Sequence, residues 1–581
     1  MPTMVDSTSV EWVRQTALDS AYADYLKNLL LRLTAVDTSA RSSVSAMAAH
    51  ESEIVDLIER EVTAADPRAV VRRVPVNPAI ANDAHYVTPW YASTVDGNAS
   101  AVEQIYAGRC NLVVEVPGGT NQAGGAGASS VVLAANVDTV STAEDARVDG
   151  QRVFGCGVCN KAQVAMLIAQ IRALRELEEK TGQSSFARVY CFTIDGSVGG
   201  NGALSVVNDP RWAGANVIVH EPTQLRPTSA HVGNVYYRCE LSSAGLPDVS
   251  SLEMFPFAVL AMEKEGRRFR EESSSSAMFT PTHVQTYHGM VGHFGSAPNA
   301  VCDRVAFEIS TKAKANPERI GMKMTEFLDE AMLGYTNVYG DKTRQVDPIT
   351  GKPKVAKHFD VKVTPGPEYH LVHLQIFGKA GHVGALSECD SAVTKAAWIL
   401  AAMLQMSQRF PGVQAFGRLL DENAGADGVN ADPRRVPTTM VLQGGQAFSP
   451  VHRLEDIKAR MTAAVAKGVQ KYCAFKQIAY RDAMVQMRFD RQTDEAYAAS
   501  AEIAPMQAFK AAFTALGEKW SAPVAWESSC DARIYHAKGH PTAMFGAGRL
   551  SVVGSPDECV DLTELQKALA ISTLATCYSL R

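Results

Sequence analysis

Short apolar runs alternate with longer amphipathic segments along the first 234 residues of the chain. Leu26, Leu29, Leu30 and Leu33 recur at helical spacing, and the stretch "KAQVAMLIAQIRALRELEEK" also predicts a helix. The runs that predict buried strands are "CNLVVEV", "SSVVLAANVDTV", "ARVYCFTID" and "ANVIVHEPT". Because strands alternate with helices, we expect an α/β fold in which a mostly parallel sheet is covered by helices.

The middle of the chain has a different pattern, with longer polar connections such as residues 339–369. Two strand–helix pairs lie between these connections, and after residue 485 the chain returns to its first pattern. We therefore predict a discontinuous α/β domain formed by residues 1–234 and 485–581. Residues 235–484 would form an inserted α+β domain in which a similar unit occurs twice.

The composition and charge of the chain indicate which class of protein it belongs to. Hydrophobic residues make up 46% of the chain, charged residues 20%, and the net charge is −6, which is typical of a globular protein without nucleic-acid or membrane partners. Eleven cysteines are scattered singly, as in proteins with reduced thiols. No signal-peptide pattern opens the chain, and no stretch approaches the ~20 apolar residues of a membrane span. We expect a cytoplasmic protein.

Polar residues follow three of the predicted strands, in "NVDTV", "TIDGS" and "HEPT". Binding sites of parallel sheets collect at the carboxyl ends of the strands. We therefore expect these three segments to meet at one cleft.

Six segments, in this order, resemble the motifs of the aminoacylase, carnosinase and succinyl-diaminopimelate desuccinylase family of di-zinc metallopeptidases. They are "NVDTV" (136–140), "GCGVCNKAQ" (155–163), "DGSVGG" (195–200), "EPT" (221–223), "CDAR" (530–533) and "FGAGRLSVVGSPDE" (545–558). The resemblance covers nearly the whole chain. It implies a zinc-exopeptidase-like fold with an inserted α+β lid domain, which some dipeptidases carry as two units in one chain.

The resemblance also implies two zinc ions, held by two His, a bridging Asp and two further carboxylates, with a Glu as general base. Five matching positions of this chain hold other residues, namely Asn136 and Gly554 for the two His, Asn160 for the bridging Asp, Gly196 for the general base and Ser197 for a ligand Glu. With a one-residue gap, Cys159 would replace Asn160 at the bridging position. Glu221 keeps a ligand, and Asp138 keeps the carboxylate that would orient the missing His.

An amide is a weak zinc ligand and glycine offers no ligand at all. We therefore predict that the chain holds no zinc or other cofactor and lacks the family's hydrolytic mechanism. The leading hypothesis is a binding or structural pseudoenzyme. Its partner would be a small amino-acid-like or peptide ligand, a homologous protein or a second copy of the chain.

Two enzymatic alternatives stay open. The cleft that corresponds to the family's active site could catalyse another reaction on an amino-acid or amide substrate. Alternatively, the chain could be a genuine metal-dependent amidohydrolase or dipeptidase. The residues expected at the ligand cleft are Asn136, Asp138, Asn160, Asp195, Ser197, Glu221, Asn299, His382 and Asp531.

Two of these residues belong to the inserted domain. His382, in "GKAGHVGALSECDSAV", matches the lid histidine that donates to the substrate carbonyl oxygen in the family, although a structural role is equally open. Asn299 corresponds to a substrate-contacting amide. The cysteines near the expected cleft are predicted to be packing residues, with a single-metal site or a nucleophile as alternatives; they are Cys156, Cys159, Cys191 and Cys530.

Overall fold

The computed structural model describes residues 7–40, 43–92, 100–118, 131–139, 145–182, 187–246, 249–273, 278–280, 282–291, 301–312, 316–348, 350–405, 413–414, 419–421, 438–489 and 493–579. The chain divides into two compact units. Unit 1 comprises Met1–Gly233, Ala277–Phe279 and Asp494–Arg581, and unit 2 comprises Asn234–Ser276 and Thr280–Thr493.

The α-helices of the described residues are α1 (Ser7–Ala17), α2 (Ser20–Thr34), α3 (Val44–Ala65), α4 (Val102–Ile105), α5 (Val158–Thr181), α6 (Asn201–Val207), α7 (Ser251–Ser273), α8 (Pro317–Tyr339), α9 (Ala392–Gln405), α10 (Leu454–Lys476), α11 (Ala504–Leu516), α12 (Ala532–Ala537) and α13 (Leu562–Ser579).

The strands are β1 (Val70–Pro75), β2 (Cys110–Val116), β3 (Val131–Asn136), β4 (Arg147–Asp149), β5 (Arg152–Phe154), β6 (Arg188–Thr193), β7 (Asn216–His220), β8 (Ala230–His231), β9 (Gly233–Ser242), β10 (Thr286–Val291), β11 (Arg304–Lys312), β12 (Phe359–Thr364), β13 (Tyr369–Phe377), β14 (Val413–Gln414), β15 (Leu419–Asp421), β16 (Thr439–Phe448), β17 (Val485–Arg488), β18 (Thr493–Asp494), β19 (Tyr497–Ala498), β20 (Thr542–Phe545) and β21 (Cys559–Asp561).

The central sheet of unit 1 has the strand order β1-β2-β6-β3-β7-β20. The pairs β3–β6, β3–β7 and β7–β20 are parallel, whereas β1 and β2 join the edge in antiparallel pairs. Every residue of β3 and β6 is buried, as expected for central strands covered on both faces. Helix α5 packs on β3, and α2, α3 and α13 pack on α5. The predicted α/β fold with a mostly parallel sheet flanked by helices is confirmed.

The described residues of unit 2 form two five-stranded sheets. The first has the order β10-β16-β9-β17, with β18 paired to β9, and it packs with α7 and α10. The second has the order β12-β13-β11-β14, with β15 paired to β11, and it packs with α8 and α9. The predicted boundaries and the internal duplication of the inserted domain stay predictions.

Residues 359–364 form β12, although the sequence pattern predicts a polar connection over residues 339–369. This strand pairs with β13, and its residues alternate between half-buried and exposed positions. Alternation over only six residues, flanked by Lys and Pro, is the weak pattern of an edge strand, which explains why the sequence did not reveal it.

Among the described residues, no helix has the length and apolar character needed to cross a membrane.

Candidate functional site

Two of the three predicted strand ends, those of β3 and β6, are joined by the carboxylate of Asp138, which follows β3. Its Oδ1 accepts a hydrogen bond from the backbone N–H of Gly196 at 2.9 Å, and its Oδ2 accepts one from Ser197 at 2.8 Å. The amide Nδ2 of Asn136 also donates to Oδ1, at 3.2 Å. Asp138 therefore ties the end of β3 to the turn after β6. Of the predicted residues, Ser197 contributes a backbone group here.

Gly196 lies directly against the side chain of Asn136. A Cβ atom built at position 196 would lie 2.5 Å from the Cβ and 2.8 Å from the Cγ of Asn136. Real Cβ atoms do not approach other carbons this closely. The side chain of Asn136 therefore fills the space that any larger residue at position 196 would need.

Asn160 lies in the first turn of α5, where its Nδ2 donates to the backbone oxygen of Asp138 at 3.0 Å. The helix begins after Gly157, which has φ +76°, and a Cβ there would meet Thr139 at 2.1 Å. Only glycine adopts this conformation in this space without strain.

Glu558 is a buried residue of this region that the sequence analysis did not select. Its carboxylate accepts hydrogen bonds from the backbone N–H of Cys159 at 3.1 Å and of Gly554 at 3.0 Å. A carboxylate at a helix N-terminus compensates unpaired N–H groups and the helix dipole. The only signal was its place at the end of the sixth matched segment.

Glu221 and Asp531 form the acidic side of the site. Thr193 donates to Oδ2 of Asp531 at 3.0 Å, whereas Oδ1 of this buried side chain has no hydrogen-bond partner in the part of the chain that the structure describes. Burial and the nearby Asp138 raise the pKa of Asp531 from its ordinary value of 3.8 to about 7. Burial, Asp531 and Asp138 likewise raise the pKa of Glu221 well above its ordinary value. At a pKa of about 7, the carboxyl group of Asp531 can hold a proton near neutral pH.

Asp195 is bound into a separate buried network. Arg109 donates to its Oδ1 at 2.6 Å, and the hydroxyls of Tyr91 and Tyr106 each donate to Oδ2 at 2.8 Å. Arg109, itself 1% exposed, also forms two hydrogen bonds with the carboxylate of Glu51. With both oxygens engaged and 2% exposure, Asp195 holds the turn after β6 in place.

His382 belongs to unit 2, where its Nδ1 accepts a hydrogen bond from the backbone N–H of Gly384 at 3.0 Å. Burial lowers the pKa of His382 to about 4, so the ring is neutral. The contact caps the short 3₁₀ segment Val383–Glu388, which gives the residue a local structural role. Asn299 lies outside the described residues.

The cysteines predicted near the cleft are mostly buried thiols. Cys159 donates its thiol to the backbone oxygen of Cys559, and the thiol of Cys530 lies 3.3 Å from the sulfur of Met544. Burial raises the pKa of both, and it raises that of Cys191 to about 12. Since thiolates are the nucleophiles and metal ligands, these groups are better suited to packing. Cys156 is half-buried.

A zinc pair requires a set of imidazole, thiolate or carboxylate donors around each ion. Within the part of the chain that the structure describes, no three or more His, Cys, Asp and Glu side chains are grouped so that they could hold a metal ion. At the strand ends, the carboxylate of Asp138 accepts hydrogen bonds from backbone N–H groups, and the side chain of Asn136 is an amide that donates to the same carboxylate. The described side chains therefore do not match the donor set of a two-zinc centre.

We expect Gly196→Ala to lower the free energy of unfolding by about 1–3 kcal/mol, because the added methyl group overpacks the turn against Asn136. In an Asn136→Gly background the same change should cost at least about 1 kcal/mol less, as measured by urea unfolding in a double-mutant cycle. Gly321→Ala is the matched control, since its Cβ would meet only Val363, at 3.6 Å. Equal stability of Gly196→Ala and the unmodified protein would contradict the filled space.

Arg109→Met should lower the free energy of unfolding by about 3–5 kcal/mol, because it leaves the buried carboxylates of Glu51 and Asp195 without their cation. Lys27→Met, which removes an exposed pair with Asp24, should change it by less than about 0.5 kcal/mol. Urea unfolding followed by circular dichroism measures both. A small loss in Arg109→Met would show that the network is not needed to hold Asp195.

Known proteins resemble this chain over nearly its whole length. The sequence model of peptidase family M20/M25/M40 matches residues 132–576. The fold is similar to that of human carnosine dipeptidase 1, with 11% identity, a TM-score of 0.50 and coverage of 98% of this chain and 99% of that one. It is also similar to a dipeptidase of Saccharomyces cerevisiae, with 9% identity, a TM-score of 0.52 and coverage of 99% of each chain. No curated protein sequence matches the chain significantly. The predicted resemblance is confirmed, and the chain belongs to peptidase family M20/M25/M40.

Proposed function

We propose that this protein is a member of its peptidase family that does not hydrolyse amides through a zinc pair and instead binds a small amino-acid-like or peptide ligand. The single observation that carries the proposal is the fit between Asn136 and Gly196. An amide side chain occupies the space beside the turn where the family's general base would begin, and a Cβ at that turn would lie 2.5 Å from it.

The chemistry of hydrolysis supports this assignment. A metal pair lowers the pKa of its bound water to about 7 and polarises the scissile carbonyl, and a nearby carboxylate then moves the proton. Neutral amides at Asn136 and Asn160 and the missing side chain at Gly196 supply neither function.

The remaining acidic groups favour a ligand that carries hydrogen-bond donors. Asp531 has an oxygen to which no described residue donates a hydrogen bond, and the partly exposed Glu221 lies within electrostatic range of it. The ammonium group of an amino acid or peptide supplies both a positive charge and three donors. Such a ligand would compensate the acidic side of the site.

A second candidate function is a metal-independent acid–base reaction on an amide or amino-acid substrate. The observation in its favour is the raised pKa of Asp531, about 7, beside a second carboxyl group whose pKa is also raised. Carboxyl groups with such pKa values suit general acid and base catalysis. If this candidate is correct, Asp531→Asn and Glu221→Gln will each abolish a turnover that the unmodified chain shows.

Metal content and hydrolysis test the main proposal together. After incubation with zinc and gel filtration, we expect less than about 0.1 zinc per chain and no cleavage of dipeptides or acyl-amino acids, because the donor set is incomplete. An active dipeptidase of the family serves as the positive control. Two zinc ions per chain, together with cleavage that a chelator stops, would refute the proposal.

The dependence of stability on pH tests the state of Asp531. Because its pKa is raised on folding, the folded protein keeps a proton between about pH 4 and 7 that the unfolded chain has released, so stability falls as pH rises through this window. Asp531→Asn has no such proton. Between about pH 5 and 7.5 its free energy of unfolding, measured with urea, should therefore fall by at least about 1 kcal/mol less than that of the unmodified protein. The exposed Asp149→Asn is the control, and identical slopes in all three proteins would contradict the raised pKa.

A further inference from the structure

Unit 2 contains a cavity of about 720 Å³ that includes none of the strand-end residues described above. Its walls come from α7, from the end of α8 and from the segment that leads into α9. A cavity of this volume is within the range that holds small molecules in proteins. Its charged and aromatic lining includes Glu263, Arg267, Arg270, Tyr335, Tyr339 and Asp390.

The buried acid Glu263 already has its partners. Its Oε2 accepts a hydrogen bond from the hydroxyl of Tyr339 at 2.6 Å, and its Oε1 lies 3.1 Å from Nε2 of His288. Burial raises the pKa of Glu263, but these contacts and the positive charge of Arg270 outweigh it and lower the pKa below its ordinary value. Glu263 is therefore an ionised and satisfied carboxylate.

Asp390, a second acid of the cavity lining, also has partners. The hydroxyl of Tyr335 donates to its Oδ1 at 2.6 Å, and Nζ of the fully buried Lys395 lies 2.5 Å from its Oδ2. The rings of Tyr335 and Tyr339 stack with their centroids 4.7 Å apart, so the two acids and their tyrosines form one ordered wall. Neither acid needs a cation from a ligand.

The two arginines of the cavity have no comparable partners. Arg267 and Arg270 follow Glu263 by four and seven positions, and therefore lie on the same face of α7. Arg267 has no ion-pair or hydrogen-bond partner among the described residues, and Arg270 makes a long hydrogen bond to the backbone oxygen of Val284 at 3.4 Å. Both side chains are partly exposed. The lining also contains Glu271 and Lys342, so the cavity is not positive as a whole, and Arg267 is a cation for which the described residues supply no ion-pair partner.

We propose that this cavity is a second binding site and that it takes a small organic anion with a planar body. Its carboxylate or phosphate would bind Arg267 and Arg270, whose guanidinium groups match both anions in geometry. Its body would pack against the ordered wall of Tyr335 and Tyr339. The site would function whether or not the proposed function at the strand ends is correct, because no strand-end residue lines it.

The test uses the full chain and three probes that share one ring, namely benzoate, phenyl phosphate and benzylamine, in isothermal titration calorimetry. We expect saturable binding of benzoate, of phenyl phosphate or of both, and the preferred anion identifies the natural head group as a carboxylate or a phosphate. Benzylamine, which is a cation, should not bind. Equal or tighter binding of benzylamine would overturn the proposal, and so would no saturable binding of either anion up to about 10 mM.

Three variants on α7 locate the site. Arg267→Gln and Arg270→Gln should each weaken binding of the preferred anion about tenfold, because each removes a charge-assisted hydrogen bond. Arg268→Gln is the matched control, since Arg268 is exposed, pairs with Glu265 and does not line the cavity. It should leave affinity within about twofold. Equal effects of all three changes, or none from Arg267→Gln and Arg270→Gln, would refute this site.

Discussion

The carboxylate of Asp138 is the group on which the arrangement of the strand ends depends. It joins the end of β3 to the turn after β6 through two backbone N–H groups and the amide of Asn136. Asp138 accepts hydrogen bonds through both oxygens of its side chain, and burial raises its pKa above the ordinary value. The resemblance implies that this carboxylate orients a histidine; here it orients an asparagine and the turn that contains Gly196. The hydrogen bonds of Asp138 therefore hold the strand ends together, although the side chain bound to Asp138 is an amide and not an imidazole.

In each unit, buried acidic side chains are paired with basic side chains or hydroxyl groups. In unit 1, Arg109 is the cation for Glu51 and Asp195, whereas Glu221 and Asp531 have no such cation in the described part of the chain and burial raises the pKa of both. In unit 2, tyrosine hydroxyls and Lys395 are the partners of Glu263 and Asp390, and Arg267 of α7 has no ion-pair partner among the described residues. The proposed ligand sites rest on these carboxyl groups of unit 1 and on the guanidinium groups of the cavity in unit 2.

Much of the fold follows from local patterns, because alternating apolar runs and helical periodicity reflect burial directly. The contact between the ends of β3 and β6 also follows from the sequence, since parallel strands end at one edge of their sheet. The partners of these residues are less predictable. Nothing near Arg109 in sequence indicates that it would pair with Glu51, 58 residues away, because Glu51 resembles any charge on an amphipathic helix. The capping role of His382 and the contact of Gly196 with Asn136 depend on tertiary geometry that no spacing encodes.

The central claim is that amides and a bare backbone have taken the places of metal ligands. Its most direct test is anomalous diffraction at the zinc edge from crystals of the protein grown or soaked with zinc. The account predicts no anomalous peak among Asn136, Asn160 and Glu221, with the amide of Asn136 still bound to Asp138. Two peaks about 3.5 Å apart at that position would contradict it.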